Sequence, residues 1–81
     1  MFIVTQDNET FVNCDFVKKF RIDGTTVYAD SEKIAIYPTK ETAGNALLDF
    51  LHVYGIYRDE ADVAYVMPKG DCTERGDILK L

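Results

Sequence analysis

The sequence contains few of the residue types from which compact catalytic and metal sites are built. Its 81 residues include one histidine, two cysteines and no tryptophan. No two Cys or His residues stand at the two- to four-residue spacing of a zinc site. No glycine-rich loop ends in the Lys-Ser or Lys-Thr that holds phosphate groups. The sequence therefore predicts no metal site, no cofactor and no catalytic residue.

The cysteines and the apolar runs are also limited in number and length. Cys14 and Cys72 are too few for the disulfide framework of a small secreted domain. We interpret both as free thiols in a reducing compartment, with a single long-range bridge between them as the alternative. The chain does not open with a cationic segment followed by an apolar run, and no apolar stretch approaches the ~20 residues that span a bilayer. We therefore expect a soluble, cytoplasmic protein that does not bind membranes.

What the chain does contain is enough apolar material for one core. Hydrophobic residues make up 47% of the sequence, with five Phe and five Tyr among them, which separates it from disordered chains. A chain of this size supports a single hydrophobic core. We predict one domain over residues 1–81.

The charge balance is acidic. Fourteen Asp and Glu stand against nine Lys and Arg, for a net charge of −5. Nucleic-acid affinity comes largely from basic side chains that neutralise phosphates, so direct nucleic-acid binding is not expected. An acidic surface instead favours a protein partner with a basic face, such as a nucleic-acid-binding protein.

The clearest pattern is an apolar stripe at helical spacing. Thr39 is placed to cap a helix at its start, and Gly55 is placed to supply a left-handed stop, so the predicted helix covers about residues 40–54. The stripe on one face of this helix comprises Ala43, Ala46, Leu47, Phe50, Leu51 and Tyr54.

Short β-branched and aromatic runs surround this helix. Before it they cover residues 1–5, 11–13, 16–22, 25–30 and 34–37, and after it residues 63–67. Asp23-Gly24 suits a two-residue turn with positive φ at both residues. Residues 69–81 either dock as a short strand or stay mobile. The predicted fold class is α+β, an antiparallel β-meander of four to six short strands packed on one amphipathic helix, in the order β-β-β-β-(β)-α-β.

Three segments resemble a known group of sequences. They are residues 1–17 (MFIVTQD, then Val12-Asn13, Asp15 and Val17), residues 37–43 (YPTKETA) and residues 65–68 (YVMP). In this order they resemble small uncharacterised proteins of Gram-positive bacteria and their prophages. The resemblance implies a strand meander followed by one helix and a final strand, and it implies no activity. The chain departs from the group at Gly44 and in the extension 69–81.

Two surfaces are candidates for binding a partner. One is acidic and could imitate a phosphate track; an ordinary solvated acidic loop is the alternative. The other is apolar and could hold a partner or a second copy. The acidic candidates are Asp59, Glu60, Asp62, Asp71, Glu74 and Asp77, and the apolar candidates are Leu48, Val53 and Tyr57. His52 is expected on the solvated face of the helix, where a general base has no partner.

These observations favour a binding protein over an enzyme. Our leading hypothesis is a phage- or prophage-encoded acidic inhibitor of a host nucleic-acid-binding defence protein, such as a CRISPR effector. The first alternative is a self-associating structural or regulatory module, a homodimer built through sheet edges or the Leu48 face. The second alternative is a small-molecule binder, which would need a cavity lined by Tyr28, Arg21 or Tyr65.

Overall fold

A computed structural model describes residues 1–70 and 76–81. Over these residues the chain forms seven β-strands, one 3-10 turn and one α-helix. The elements in chain order are β1 (Phe2–Val4), β2 (Phe11–Asn13), a 3-10 turn (Cys14–Phe16), β3 (Phe20–Asp23), β4 (Thr26–Ala29), β5 (Glu32–Ile36), α1 (Lys40–Tyr57), β6 (Val63–Val66) and β7 (Asp77–Lys80). The α+β class and the placement of the strands before the helix are confirmed.

The strands form two sheets and not the single meander that the sequence suggested. A four-stranded sheet has the order β2-β1-β6-β7, and a three-stranded sheet has the order β3-β4-β5. β1 and β6 run parallel, whereas every other neighbouring pair is antiparallel. In the chain, β6 follows five strands and the helix, yet it lies beside β1. The four-stranded sheet therefore pairs an early segment of the chain with a late one.

Gln6 connects the two sheets. Its amide donates to the carbonyl of Ile34 at 2.8 Å, and its side-chain Oε1 accepts from the amide of Ile36 at 3.0 Å. Its Nε2 donates to the carbonyl of Pro68 at 3.2 Å, which also accepts the Tyr37 hydroxyl at 2.7 Å. These bonds tie the segment after β1 to β5 and to the end of β6, so the sheets share one core.

The helix starts where the sequence predicts and ends later. The Thr39 side chain accepts from the amide of Thr42 at 3.0 Å, which is the N-cap bond expected of Thr. Gly55 does not stop the helix, because α1 continues to Tyr57 and Arg58 caps it with right-handed geometry. The packing of the last turn therefore overrides the preference of glycine for a helix end.

Phe50 is the centre of the core. Its side chain is fully buried, and its ring lies 5.0 Å from that of Phe20, 5.8 Å from that of Tyr54 and 5.4 Å from that of Tyr65. Phe20 comes from the three-stranded sheet and Tyr65 from the four-stranded sheet. The helix thus packs across both sheets through one aromatic cluster.

The apolar stripe of the helix is rotated from the prediction. Ala43, Ala46 and Phe50 are buried as expected. Leu51 is 39% exposed, whereas Val53 packs against the core. Two sheets flank the helix and together set which of its residues are buried. The buried face therefore reaches further around the helix on the Val53 side, and less far on the Leu51 side, than it would under a single sheet.

Two local predictions about the strands are corrected. The strand predicted from residue 16 begins at Phe20, because Asn13 Oδ1 accepts from the amide of Asp15 and starts the 3-10 turn. The turn between β3 and β4 consists of Gly24 and Thr25, with positive φ at Gly24 alone. A positive φ at the first of the two turn residues alone is the pattern of a type II′ turn.

Candidate functional site

One end of the four-stranded sheet collects acidic side chains. Phe2 of β1 pairs with both Asn13 of β2 and Ala64 of β6, so the chain leaves β2 and enters β6 at the same end. Asp15 and Asp62 lie just beyond this end. Their strands are two positions apart, a separation on the order of 10 Å at the usual strand spacing.

The connection from α1 to β6 adds two more carboxylates at this end. The amide of Glu60 donates to the carbonyl of Tyr57 at 2.9 Å, which turns the chain sharply after the helix. We call Asp15, Asp59, Glu60 and Asp62 the acidic end; all four are exposed. Within residues 1–70 and 76–81, none of the four forms a salt bridge.

The position of Asp59 and Glu60 does not favour the stability of the fold. The C-terminus of a helix carries partial negative charge, so anions placed there are unfavourable. Arg58, which caps α1 directly before Asp59, places one cation at the same helix end.

The acidic end holds only part of the predicted phosphate-like track. Asp77 pairs with Val66 at the opposite end of β6, whereas Lys80 pairs with Val63 beside Asp62. The sequence groups Asp77 with Asp62 only if the tail folds nearby; because β7 runs antiparallel to β6, Asp77 lies at the other end of β6 from Asp62. Asp71 and Glu74 lie outside the described residues.

An exposed aromatic residue lies next to Asp15. Phe16 is 81% exposed at the end of the 3-10 turn, and Phe11 on β2 is 52% exposed. Both line a groove of about 410 Å³ between β2 and the β4–β5 turn. The carboxylate of Asp30 holds the wall of this groove by accepting from the amides of Lys18 and Lys19.

Sequence reasoning missed Phe16 because alternation placed it on the buried side of a strand. The available signal was Asn13, whose side chain favours a turn two residues later. β2 is also the outer strand of its sheet, so its free backbone groups border the groove. Exposed aromatics beside an open strand edge are typical of protein-binding surfaces.

The predicted apolar interface is largely taken up by the core. Val53 and Tyr57 are half-buried and pack against it, which corrects their placement on an exposed flank. Leu48 is 66% exposed, as predicted. Of the three candidates, Leu48 remains on the surface.

The residues that could carry other chemistry are dispersed. His52 is exposed, and the described part of the chain holds no group of three or more His, Cys, Asp or Glu that could bind a metal ion. Cys14 is a buried free thiol, and burial raises its pKa to about 11. A thiol of this kind is protonated at neutral pH and is a poor nucleophile.

The side chains proposed for a small-molecule cavity do not share one. The guanidinium of Arg21 lies over the ring of Tyr28, 4.2 Å from its centroid, on partly exposed strands. Tyr65 is buried in the core and donates to Asp49. The fold therefore separates Tyr65 from the other two.

Comparisons with known proteins give no match to a family model, to a curated protein or to a solved structure. The resemblance to proteins of Gram-positive bacteria and prophages stays a prediction. Over the residues that the structure describes, no helix combines the length and the apolar character needed to cross a membrane.

Proposed function

We propose that this protein is a non-enzymatic binding module that docks its acidic end on the basic surface of a partner protein. The observation that carries the proposal is the gathering of four exposed carboxylates, without salt bridges among the described residues, together with the exposed ring of Phe16, which follows Asp15 in the chain. Charge complementarity would guide the encounter. The aromatic ring would supply the buried anchor.

The finer proposal is inhibition by imitation of nucleic acid. Carboxylates held at separate positions can occupy the phosphate sites of a basic groove. The prophage-like resemblance supports a phage- or prophage-encoded inhibitor of a host defence protein, of the anti-CRISPR-like kind. It would act in the cytoplasm, where Cys14 stays a free thiol.

The test is capture from a bacterial lysate with two matched charge variants. The site variant is Asp15→Lys/Glu60→Lys/Asp62→Lys. The control variant, Glu9→Lys/Asp23→Lys/Asp77→Lys, makes the same change in net charge on residues away from the acidic end. We expect the wild type and the control to retain a basic partner at low salt and the site variant to bind it at least about tenfold more weakly.

Phe16→Ala separates the anchor from the charge. It leaves net charge unchanged and removes an exposed ring, so we expect weaker partner binding with unaltered folding. Equal capture by the site variant and the control would contradict binding through the acidic end. If the captured partner keeps its full nucleic-acid affinity in the complex, the imitation of nucleic acid is wrong although the binding stands.

A further inference from the structure

The solvent side of α1 carries a second apolar surface. Gly44, Leu48, Leu51 and Gly55 recur at spacings of four, three and four, which aligns them along the helix. We call these four residues the outer seam. At 100° per residue the seam lies about 130° around the axis from the buried face. Leu48 is 66% exposed and Leu51 is 39% exposed.

The packing of the chain on itself does not account for the glycines of the seam. A Cβ added at Gly44 or at Gly55 would meet no atom of residues 1–70 and 76–81 within 4 Å. Each glycine weakens a helix relative to alanine, and neither position needs the left-handed backbone that glycine permits. What glycine does provide at both positions is room for another backbone to approach closely.

The seam is symmetric about a point between residues 49 and 50. Leu48 and Leu51 are equally distant from this point, as are Gly44 and Gly55. An antiparallel copy of α1 related by a two-fold axis at this point would place each leucine opposite the other leucine. Each glycine would lie opposite the other glycine, where the two helices need the closest approach.

The charges next to the seam follow the same symmetry with opposite signs. Glu41 and Arg58 lie one step beyond the glycines and are equally distant from the midpoint. Lys40 and Asp59 form a second pair of the same kind. All four are exposed. In the antiparallel arrangement each acidic residue meets a basic residue of the other copy, whereas a parallel pair would oppose Glu41 to Glu41.

We propose that a second copy of this chain docks on the outer seam in antiparallel orientation, with Glu41 facing Arg58 of the second copy. The interface is self-complementary, as a two-fold dimer requires, and it opposes the two helix dipoles favourably. One helix pair is a small contact by the standards of stable interfaces. We therefore expect a reversible dimer with a Kd on the order of 10–100 µM.

This proposal does not depend on the acidic end as a docking site. The site variant of that test leaves Glu41, Arg58 and the outer seam untouched, so the two proposals can fail separately. Sedimentation equilibrium on the whole chain measures the dimer directly. Wild type is expected to pass from monomer to dimer as the concentration rises from about 5 µM to about 1 mM.

Charge reversal identifies the register of the two helices. Glu41→Arg or Arg58→Glu alone places like charges together twice per dimer, so each should weaken dimerisation about tenfold. The double variant Glu41→Arg/Arg58→Glu restores opposite charges and should return the Kd to within about threefold of wild type. Glu9→Arg, remote from the seam, is the matched control for Glu41→Arg.

Gly55→Leu tests the close approach. A Cβ at this position meets no atom of the described residues within 4 Å, so circular dichroism should show an intact fold while dimerisation is lost. A wild type that stays monomeric at about 1 mM would overturn the proposal. So would a dimer that is unaffected by Gly55→Leu and by both single charge reversals, because that dimer would form through other surfaces, such as the edges of β2 or β7.

Discussion

Replacing the two glycines of the outer seam by alanine should stabilise the monomer. A glycine inside a helix costs up to about 1 kcal/mol relative to alanine, and an added Cβ at Gly44 or Gly55 meets no atom of the described residues within 4 Å. The two positions are about 16 Å apart along the helix, so their effects should add. We expect Gly44→Ala/Gly55→Ala to raise the free energy of unfolding by about 1–2 kcal/mol, or the Tm by roughly 4–16 °C.

The assay is urea unfolding followed by circular dichroism at a few micromolar protein, where the proposed dimer is dissociated. Gly76→Ala is the contrasting variant. A Cβ there would lie within 3.0 Å of the Val66 carbonyl and the Tyr65 ring, so this substitution should destabilise the fold. At high concentration the gain from the helix variant should shrink, because the added methyl groups separate the paired helices. A loss of stability at low concentration would refute the reasoning about open space at Gly44 and Gly55.

Three further outcomes follow from the core and from titrating groups. Phe50→Ala empties the centre of the aromatic cluster and should cost about 3–5 kcal/mol in urea unfolding; a loss below about 1 kcal/mol would contradict its central role. Cys14, with its pKa raised to about 11 by burial, should react with iodoacetamide at pH 8 roughly a thousandfold more slowly than a thiolate, as followed by peptide mass mapping. The hydrogen bond from the Thr5 hydroxyl holds the pKa of the Asp7 carboxyl below its ordinary value. The stabilising effect of this bond is therefore present at neutral pH and is lost as the pH falls through the lowered pKa. NMR titration of Asp7 at or above the ordinary value would contradict that assignment.

The helix start and most of the hairpins could be predicted from the sequence, because each is determined by residues that are close together in the chain. The cap at Thr39 and the turn formers between strands identified the helix start and most hairpins. The strand predicted from residue 16 failed because the side chain of Asn13 competed with the strand by bonding the amide of Asp15. That competition decides whether Phe16 is a core residue or an exposed anchor.

The candidate site could be predicted only in part, since its members come from distant segments. Asp59, Glu60 and Asp62 are neighbours in the chain, so the sequence by itself places them together. Asp15 joins them because β1 pairs with both β2 and β6, a pairing that no local pattern encodes. Asp77 leaves the group for the same reason, through the antiparallel direction of β7.

The sequence alone determined the α+β class, one core-facing helix, an acidic charge balance and the shortage of residues for metal or nucleophilic chemistry. These follow from composition and from periodicities of two and 3.6 residues, which any chain displays without tertiary contacts. The tertiary structure alone decided that the strands divide between two sheets, that the helix turns Val53 inward and Leu51 outward, and that Phe16 is exposed. Such features depend on pairings between residues far apart in the chain, and the free energy of these contacts is settled only when the whole core closes.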